Sequence, residues 1–219
     1  MELNQRTNKG NYLVALHSSS ETFGVAIHNL KENSKNTKNL TFKTGRDLSK
    51  NLFSYIDQLL PYREWNQIAR IAVATGPGGF TGTRLSIAMA RTIAQQLKCP
   101  LDGISSFSLM AIRLYKENIF NELNKPFWII SSLKRRGLVG GKYTIQNQSS
   151  IPYCNKVLEL KKPYLLPKDI DIAPFIKAND NVFEDTLELL KISISSHLIN
   201  KKSFWGNVLP IYPTSPVDN

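Results

Sequence analysis

One glycine-rich segment constrains the fold of this chain more than any other feature. Residues 76–82 contain four glycines and one proline, between an apolar run at residues 68–74 and a helical run that begins near Arg84. Glycine reaches backbone conformations with φ above zero and lets other groups come close to the main chain. We therefore predict a strand-to-helix junction whose backbone turns sharply or packs tightly against another part of the molecule.

The segments around this junction follow an order that is typical of one kind of α/β domain. Apolar patterning predicts strands at residues 12–16, 22–27, 40–43, 68–74 and 101–104, and helices at residues 48–60, 84–98 and 107–115. A tight turn at residues 18–21 is predicted to join the first two strands. Three such strands followed by helix, strand, helix and strand form one half of an actin-like, ribonuclease-H-like domain.

The second half of the chain is less regular. A strand pair is predicted at residues 127–133 and 139–145, and a last helix at residues 182–199. Four prolines between residues 147 and 181 indicate loops and edge segments in that stretch. The predicted organisation is a complete actin-like domain at residues 1–105 and a smaller, degenerate domain at residues 106–219.

The glycine segment does not match the two common phosphate-binding loops. A Walker A loop ends in Gly-Lys-Ser/Thr, whereas the nearest fit here ends in Gly82-Thr83-Arg84. The Rossmann fingerprint fails because its third glycine would fall on Thr81. Thr81 is instead predicted to cap the following helix, whose free N–H groups are suited to receive an anion. This candidate anion site consists of Gly76, Gly78, Gly79, Thr81 and Gly82. The alternative is a purely structural turn.

The helix after the loop carries apolar residues on two sides. Between Arg84 and Lys98 the only full charge is Arg91. A surface helix normally has a single apolar stripe, so this pattern predicts burial against the protein's own sheet on one side and against a second protein on the other. The alternative is a helix that is buried entirely within the core of this chain.

Residues suited to catalysis or metal binding are sparse. The three histidines, His17, His28 and His197, lack the His-x-x-x-His spacing of a metal motif, and no Gly-x-Ser-x-Gly nucleophile motif occurs. In an actin-like domain the first hairpin would be the phosphate turn, which usually opens with a carboxylate that organises magnesium. Here the strand ends in His17, and Glu21 lies at a different position. We interpret His17 as a strand-end residue rather than a ligand.

Composition favours one class of partner and one compartment. The net charge of +11 favours a polyanion such as RNA, but the basic clusters at residues 134–136, 161–162 and 201–202 are each too short to define a nucleic-acid site. Two cysteines without a spacing pattern predict neither disulfides nor a zinc site. The absence of an apolar signal region or a membrane-length apolar run predicts a cytoplasmic protein.

The glycine segment and its flanks, ATGPGGFTGTRLS at residues 74–86, resemble the signature of the TsaB family. These proteins are the dimerization subunits of the bacterial tRNA threonylcarbamoyladenosine synthesis complex. The family pattern is close to G-P-G-S-F-T-G-x-R-x-G, with Gly79 in the usual serine place and Ser86 in the place of the second glycine. The resemblance extends over residues 12–115. Farther on, Leu133 and Leu138 stand where family members often carry two acids.

The resemblance implies an actin-like fold and a subunit that does not catalyse by itself. It would pair with a catalytic TsaD-type subunit, which transfers threonylcarbamoyl to the tRNA adenosine next to the anticodon, and a TsaE-type ATPase would join the complex. The expected pairing residues, on the helices at 48–60 and 84–97, are Leu52, Tyr55, Ile56, Arg84, Ile87, Ala90, Arg91 and Ala94. A charge at Ala90 is expected to abolish pairing and leave the fold intact.

Other ligands and functions stay open at the level of sequence. We expect this chain alone to bind no cofactor, whereas ATP or ADP could bind at the interface of the complex. The isolated chain could also form a homodimer through the same helix. One alternative function is an actin-fold ATPase or a peptidase-like enzyme. A second is a stand-alone RNA-binding module, which would bind with a steep salt dependence.

Overall fold

The computed structural model describes residues 10–31, 37–45, 47–119, 122, 124–133, 136–146 and 157–213. A five-stranded sheet dominates the first half of the chain, in the order β3-β2-β1-β4-β5. Its strands are β1 (Tyr12–His17), β2 (Thr22–Asn29), β3 (Thr37–Lys43), β4 (Ile68–Ala74) and β5 (Leu101–Ile104). The first three strands pair antiparallel, while β4 and β5 run parallel to β1. All seven residues of β4 are buried, as expected for a central parallel strand with both faces covered.

Helices cover both faces of this sheet. On one face lie α1 (Leu48–Asp57) and α2 (Phe80–Leu97), whose apolar residues join those of β1, β2 and β4 in the largest core cluster. On the other face α4 (Val182–Leu198) supplies Leu189 and Leu190, and α3 (Ser106–Lys116) supplies Leu109. A short 3₁₀ helix at Tyr62–Gln67 connects α1 to β4.

A second sheet has the strand order β8-β7-β6-β9. Its strands are β6 (Phe127–Leu133), β7 (Gly137–Ile145), β8 (Val157–Leu165) and β9 (Phe175–Lys177). Phe107 and Met110 of α3 pack on this sheet, so that α3 lies between the two sheets. The predicted boundary at residues 105 and 106 falls just before α3. This boundary stays a prediction. The second half of the chain is not separate from the first sheet, since α4 and the C-terminal segment pack on that sheet and its helices.

Most predicted elements are present, with corrected ends. The helix predicted at residues 84–98 begins at Phe80, so the last three residues of the glycine segment lie in its first turn. Gly79 therefore occupies the N-cap position, and the prediction that Thr81 caps the helix is wrong. The loops predicted among the prolines contain β8, where Pro163 is tolerated because β8 is an edge strand with register shifts against β7.

Cys154 and two residues of the basic cluster at 134–136 lie outside the described residues. In the described part of the chain, no helix is long and apolar enough to span a membrane.

Candidate functional site

The glycine loop packs directly against the turn between β1 and β2. The Gly79 N–H donates a hydrogen bond to the Ser19 carbonyl oxygen at 2.6 Å, and the Thr83 hydroxyl donates to the Ser18 carbonyl oxygen at 3.0 Å. A Cβ at Gly78 would lie 2.2 Å from the Ser19 carbonyl oxygen, so this position accepts only glycine without movement of the backbone. The loop thus closes over the hairpin that an actin-like enzyme would use as its phosphate turn.

The start of the loop contacts two further segments. Gly76 has φ of +91°, a conformation that favours glycine, and its carbonyl oxygen accepts from the Ser106 N–H at the start of α3 at 2.7 Å. The Thr75 carbonyl oxygen accepts from the Ile211 N–H at 2.8 Å. The hairpin, α3 and the C-terminal segment therefore meet at one loop.

His17 lies buried at the end of β1, as predicted for a strand-end residue. Its Nδ1 atom is 3.5 Å from the Ser19 hydroxyl, and its Nε2 atom has no partner among the described residues. Burial lowers the pKa of His17 to about 4, and the nearby positive charge of Arg113 acts in the same direction. The imidazole is therefore neutral near pH 7. Glu21 is exposed on the turn and does not take the place of a buried carboxylate.

The first turn of α2 is held to the C-terminal segment by Arg84. Its Nε donates to the Tyr212 hydroxyl at 2.6 Å, and its guanidinium lies 3.5 Å from the centroid of the Phe80 ring. The same guanidinium is 4.8 Å from the centroid of the Tyr212 ring. Arg84, predicted as a partner contact, thus makes a cation–π and hydrogen-bond contact within the chain.

Most residues of the predicted pairing surface are buried within this chain, and their role in pairing stays a prediction. Five of its residues are buried in the chain's own core: Leu52, Ile56, Ile87, Ala90 and Ala94. Ala90 has no exposed area, so a charge there would disrupt the fold rather than a surface contact. The other two, Tyr55 and Arg91, are half-buried; Tyr55 stacks on Phe42 at 4.2 Å and Arg91 lies 5.9 Å from the Trp205 ring.

The exposed side of α2 carries a different set of residues. Thr81, Ala88 and Thr92 are exposed along one line of the helix, and Leu85 beside them is half-buried. None of these four side chains is charged, although the chain has a net charge of +11. On neighbouring α1, the Phe53 ring is 61% exposed. The two apolar stripes in the sequence do not reveal which side of α2 faces outward. Packing against the sheet and the C-terminal segment decides which side stays exposed.

A cavity of about 400 Å³ opens beside the glycine loop, between the loop, α3, the second sheet and the C-terminal segment. We call it the central cavity. Apolar side chains from α3 and the second sheet line it, including Phe107, Met110 and Leu133, together with the charged Arg136 and Asp180. Burial raises the pKa of Asp180. Leu133, which stands where family members often carry an acid, contributes an apolar side chain to this cavity. Leu138, at the second such position, lies partly exposed on β7.

Among the residues that the structure describes, no three His, Cys, Asp or Glu side chains form a group suited to a metal ion. The predicted anion site at the start of α2 stays a prediction. One of its N–H groups, that of Gly79, is already bound to Ser19.

Comparisons with known proteins agree with this arrangement. A family model described as TsaD, tRNA N6-adenosine threonylcarbamoyltransferase, matches residues 32–212. A protein from Buchnera aphidicola subsp. Acyrthosiphon pisum, named tRNA threonylcarbamoyladenosine biosynthesis protein TsaB, is 22% identical over 199 aligned positions, 76% of this chain and 88% of that protein. The protein of the same name from subsp. Baizongia pistaciae is 28% identical over 166 positions, 67% and 73% of the two chains.

Solved structures agree in fold. An uncharacterized protein from Pseudomonas aeruginosa with similarity to peptidase YEAZ superposes with a TM-score of 0.69 at 18% identity, over 93% of this chain and 100% of that chain. YeaZ from the same organism gives a TM-score of 0.66 at 18% identity, over 92% and 99%. With the strand order above, these matches confirm the predicted actin-like, ribonuclease-H-like α/β fold. The reduction of the second domain stays a prediction.

Proposed function

Because this chain belongs to the TsaB family, whose members are related to TsaD, we propose that it acts in tRNA threonylcarbamoyladenosine biosynthesis as a non-catalytic subunit. In this proposal it pairs with and activates a TsaD-type catalytic subunit, which modifies the adenosine next to the anticodon. A TsaE-type ATPase joins the same complex, and tRNA is bound by the complex as a whole.

The closed hairpin carries the non-catalytic part of the proposal. The turn that would hold phosphates in an actin-like enzyme is filled by the glycine loop, with no room for a methyl group at Gly78. A buried, neutral His17 ends the strand in place of a carboxylate. These contacts support a structural role for the glycine loop: it holds the start of α2 against the hairpin.

The exposed side of α2 supports the pairing part. Its uncharged, small side chains at Thr81, Ala88 and Thr92 would allow a helix of another subunit to approach closely. Phe53, on neighbouring α1, offers an exposed aromatic anchor, of the kind that fills pockets at interfaces. We assign the partner contacts to this side of the helix. A nucleotide in such a complex would lie at the interface, near the free N–H groups of the first turn of α2.

A charge on this side of α2 tests the pairing. Ala88→Glu is expected to weaken binding to the TsaD-type subunit at least about a hundredfold, because an unpaired charge would be buried at the interface. Thr41→Glu is the matched control: Thr41 is exposed on β3, where its neighbour Phe42 faces α1, so Thr41 points to the other face of the sheet. Titration calorimetry measures both. Equal affinity of the two variants would rule out this surface.

Deletion of the gene tests the pathway. The threonylcarbamoyladenosine content of tRNA, measured by mass spectrometry, is expected to fall and to recover with the wild-type gene but not with Ala88→Glu. Unchanged modification after deletion would contradict the proposed function. Micromolar ATP binding with turnover by the isolated chain would favour the ATPase alternative instead.

A further inference from the structure

Two lysine clusters that are far apart in the sequence meet at one groove. Lys162 of β8 and the pair Lys201 and Lys202 after α4 line a cavity of about 330 Å³, together with Phe204 and Asn207. We call this feature the lysine groove. All three lysines are exposed, and none forms an ion pair with a described carboxylate. Each cluster alone is short, but together they place three positive charges around one concave surface.

The backbone that carries Lys201 and Lys202 is fixed by a buried ion pair. Arg70 and Asp102 are 2% and 4% exposed, and the Arg70 guanidinium contacts both carboxylate oxygens at 3.1 and 2.9 Å. Arg70 also donates to the Lys201 carbonyl oxygen, and the Ser203 hydroxyl donates to Asp102 at 2.6 Å. The lysine pair is therefore held at the edge of β5 rather than carried on a free tail.

Two carboxylates also line the groove, but both are engaged with other groups. Asp102 is neutralised by Arg70. Glu159 accepts hydrogen bonds from the Ser105 and Ser108 hydroxyls at 2.8 and 2.7 Å, which turns its charge toward the start of α3. With the three lysines, the groove keeps a net positive charge, and an anion entering it would meet ammonium groups first.

An aromatic ring stands beside these lysines. Phe204 is 60% exposed, and its ring centroid lies 4.9 Å from that of Trp205. A Cβ at Gly206 would lie 2.3 Å from the Phe204 ring, so the absence of a side chain at Gly206 makes room for the ring in this position. An exposed aromatic ring next to cations suits an unpaired base, which stacks on the ring while its phosphates contact the lysines.

We propose that the lysine groove binds single-stranded RNA, with phosphates on Lys162, Lys201 and Lys202 and a base stacked on Phe204. Under the proposed function the RNA is tRNA, and only this identity rests on that function. The groove lies beside β5, whereas the proposed pairing surface lies on the outer side of α2. Binding of RNA and binding of the partner subunit can therefore be measured separately.

The test measures binding of the full chain to a fluorescent tRNA transcript and to a 12-nucleotide single-stranded RNA by anisotropy. Replacement of the three lysines by alanine is expected to weaken binding at least about tenfold at 0.1 M salt and to lower the slope of log K against log salt by about 2. The control replaces Lys31, Lys38 and Lys43, which removes the same number of exposed positive charges at the end of β2 and on β3, away from the β5 edge.

Phe204 gives a second readout that charge alone does not. Phe204→Ala is expected to weaken single-stranded RNA binding about tenfold without changing the salt slope, and Phe204→Trp to retain binding. Equal loss in both lysine triples would mean a diffuse charge effect and would overturn the proposal. A second pattern would also overturn the proposal: polyglutamate competes as well as unlabelled RNA, and Phe204→Ala has no effect. That pattern indicates an acidic protein partner. If Ala88→Glu retains RNA binding but loses pairing, the two proposals are shown to be independent.

Discussion

The buried ion pair between Arg70 and Asp102 makes a quantitative prediction about stability. Asp102→Asn keeps the shape of the side chain but removes its charge, which leaves the Arg70 guanidinium buried without a counter-ion. Arg70 is 2% exposed, and its Nε atom already has no partner among the described residues. Because the Arg70 guanidinium is almost entirely removed from solvent, water compensates little for the lost carboxylate, and we expect the folded state to bear most of the penalty.

The expected loss is about 3–5 kcal/mol of unfolding free energy, the usual cost of removing one partner from a buried pair. With a urea m-value of about 2–3 kcal/mol/M for a chain of this size, the unfolding midpoint should fall by about 1–2.5 M. Urea titration followed by circular dichroism measures this. An m-value that does not change would show that the loss belongs to the folded state.

An exposed pair gives the matched control. Asp47 and Lys50 are 3.1 Å apart, with 63% and 77% of their side chains exposed, so Asp47→Asn should cost about 1 kcal/mol or less. The same replacement of aspartate by asparagine is thus made in an exposed ion pair and in a buried one. A loss below about 1 kcal/mol in Asp102→Asn, or equal losses at both sites, would refute the assignment of a buried ion pair. Arg70→Met combined with Asp102→Leu should cost less than the sum of the two single changes.

Three further predictions concern the loop, the hairpin and α3. Gly78→Ser should cost about 1–3 kcal/mol because its Cβ would overlap the Ser19 carbonyl oxygen, whereas Gly79→Ser should be neutral or stabilising, since the nearest atom is 3.5 Å away and serine is a good N-cap. Urea midpoints compare the two. Burial holds the pKa of His17 at about 4, below its ordinary 6.5, so the unfolded chain takes up a proton first as the pH falls. Stability should therefore decline between about pH 6.5 and 4, by up to about 1.4 kcal/mol per pH unit, and decline less in His17→Gln. Ser105→Ala should cost about 1–2 kcal/mol in thermal or urea unfolding, because Ser105 caps α3 at the Ser108 N–H.

Each of these predictions has a contrary result. Equal midpoints for the two glycine variants would mean that the loop does not pack on the hairpin as described. Parallel pH curves for wild type and His17→Gln would remove His17 as a titrating group, since all other acids and bases are shared by the two proteins. A wild-type midpoint for Ser105→Ala would show that the cap contributes nothing.

The glycine junction and its flanking elements could be predicted because the information is local. Apolar runs, turn residues and helical spacing describe β4, the loop and α2 within about thirty residues, and the structure places them as expected apart from the earlier start of α2 at Phe80. The difference at Gly78 and Gly79 could not be predicted. Only the approach of Ser19, about sixty residues earlier in the chain, makes the first position intolerant and the second tolerant.

The proposed pairing surface shows why a helix pattern is insufficient. Both stripes of α2 are apolar or small in sequence, and a helix wheel gives no preference between them. The sheet buries Ala90, and the C-terminal segment engages Arg84 and Arg91. What stays exposed is the side with Thr81 and Ala88.

The sequence by itself determined the order of strands and helices as far as β7, the sharp turn at the glycines and the positive charge, because backbone preferences and composition act within a few residues. It did not predict β8 and β9, which lie in a proline-rich stretch. Only the tertiary structure decided which side chains meet. Lys162 and Lys201 lie thirty-nine positions apart, and they line one groove because β8 and the end of α4 are brought to the same edge by packing. Contacts of that kind depend on the path of the whole chain, which no local preference contains.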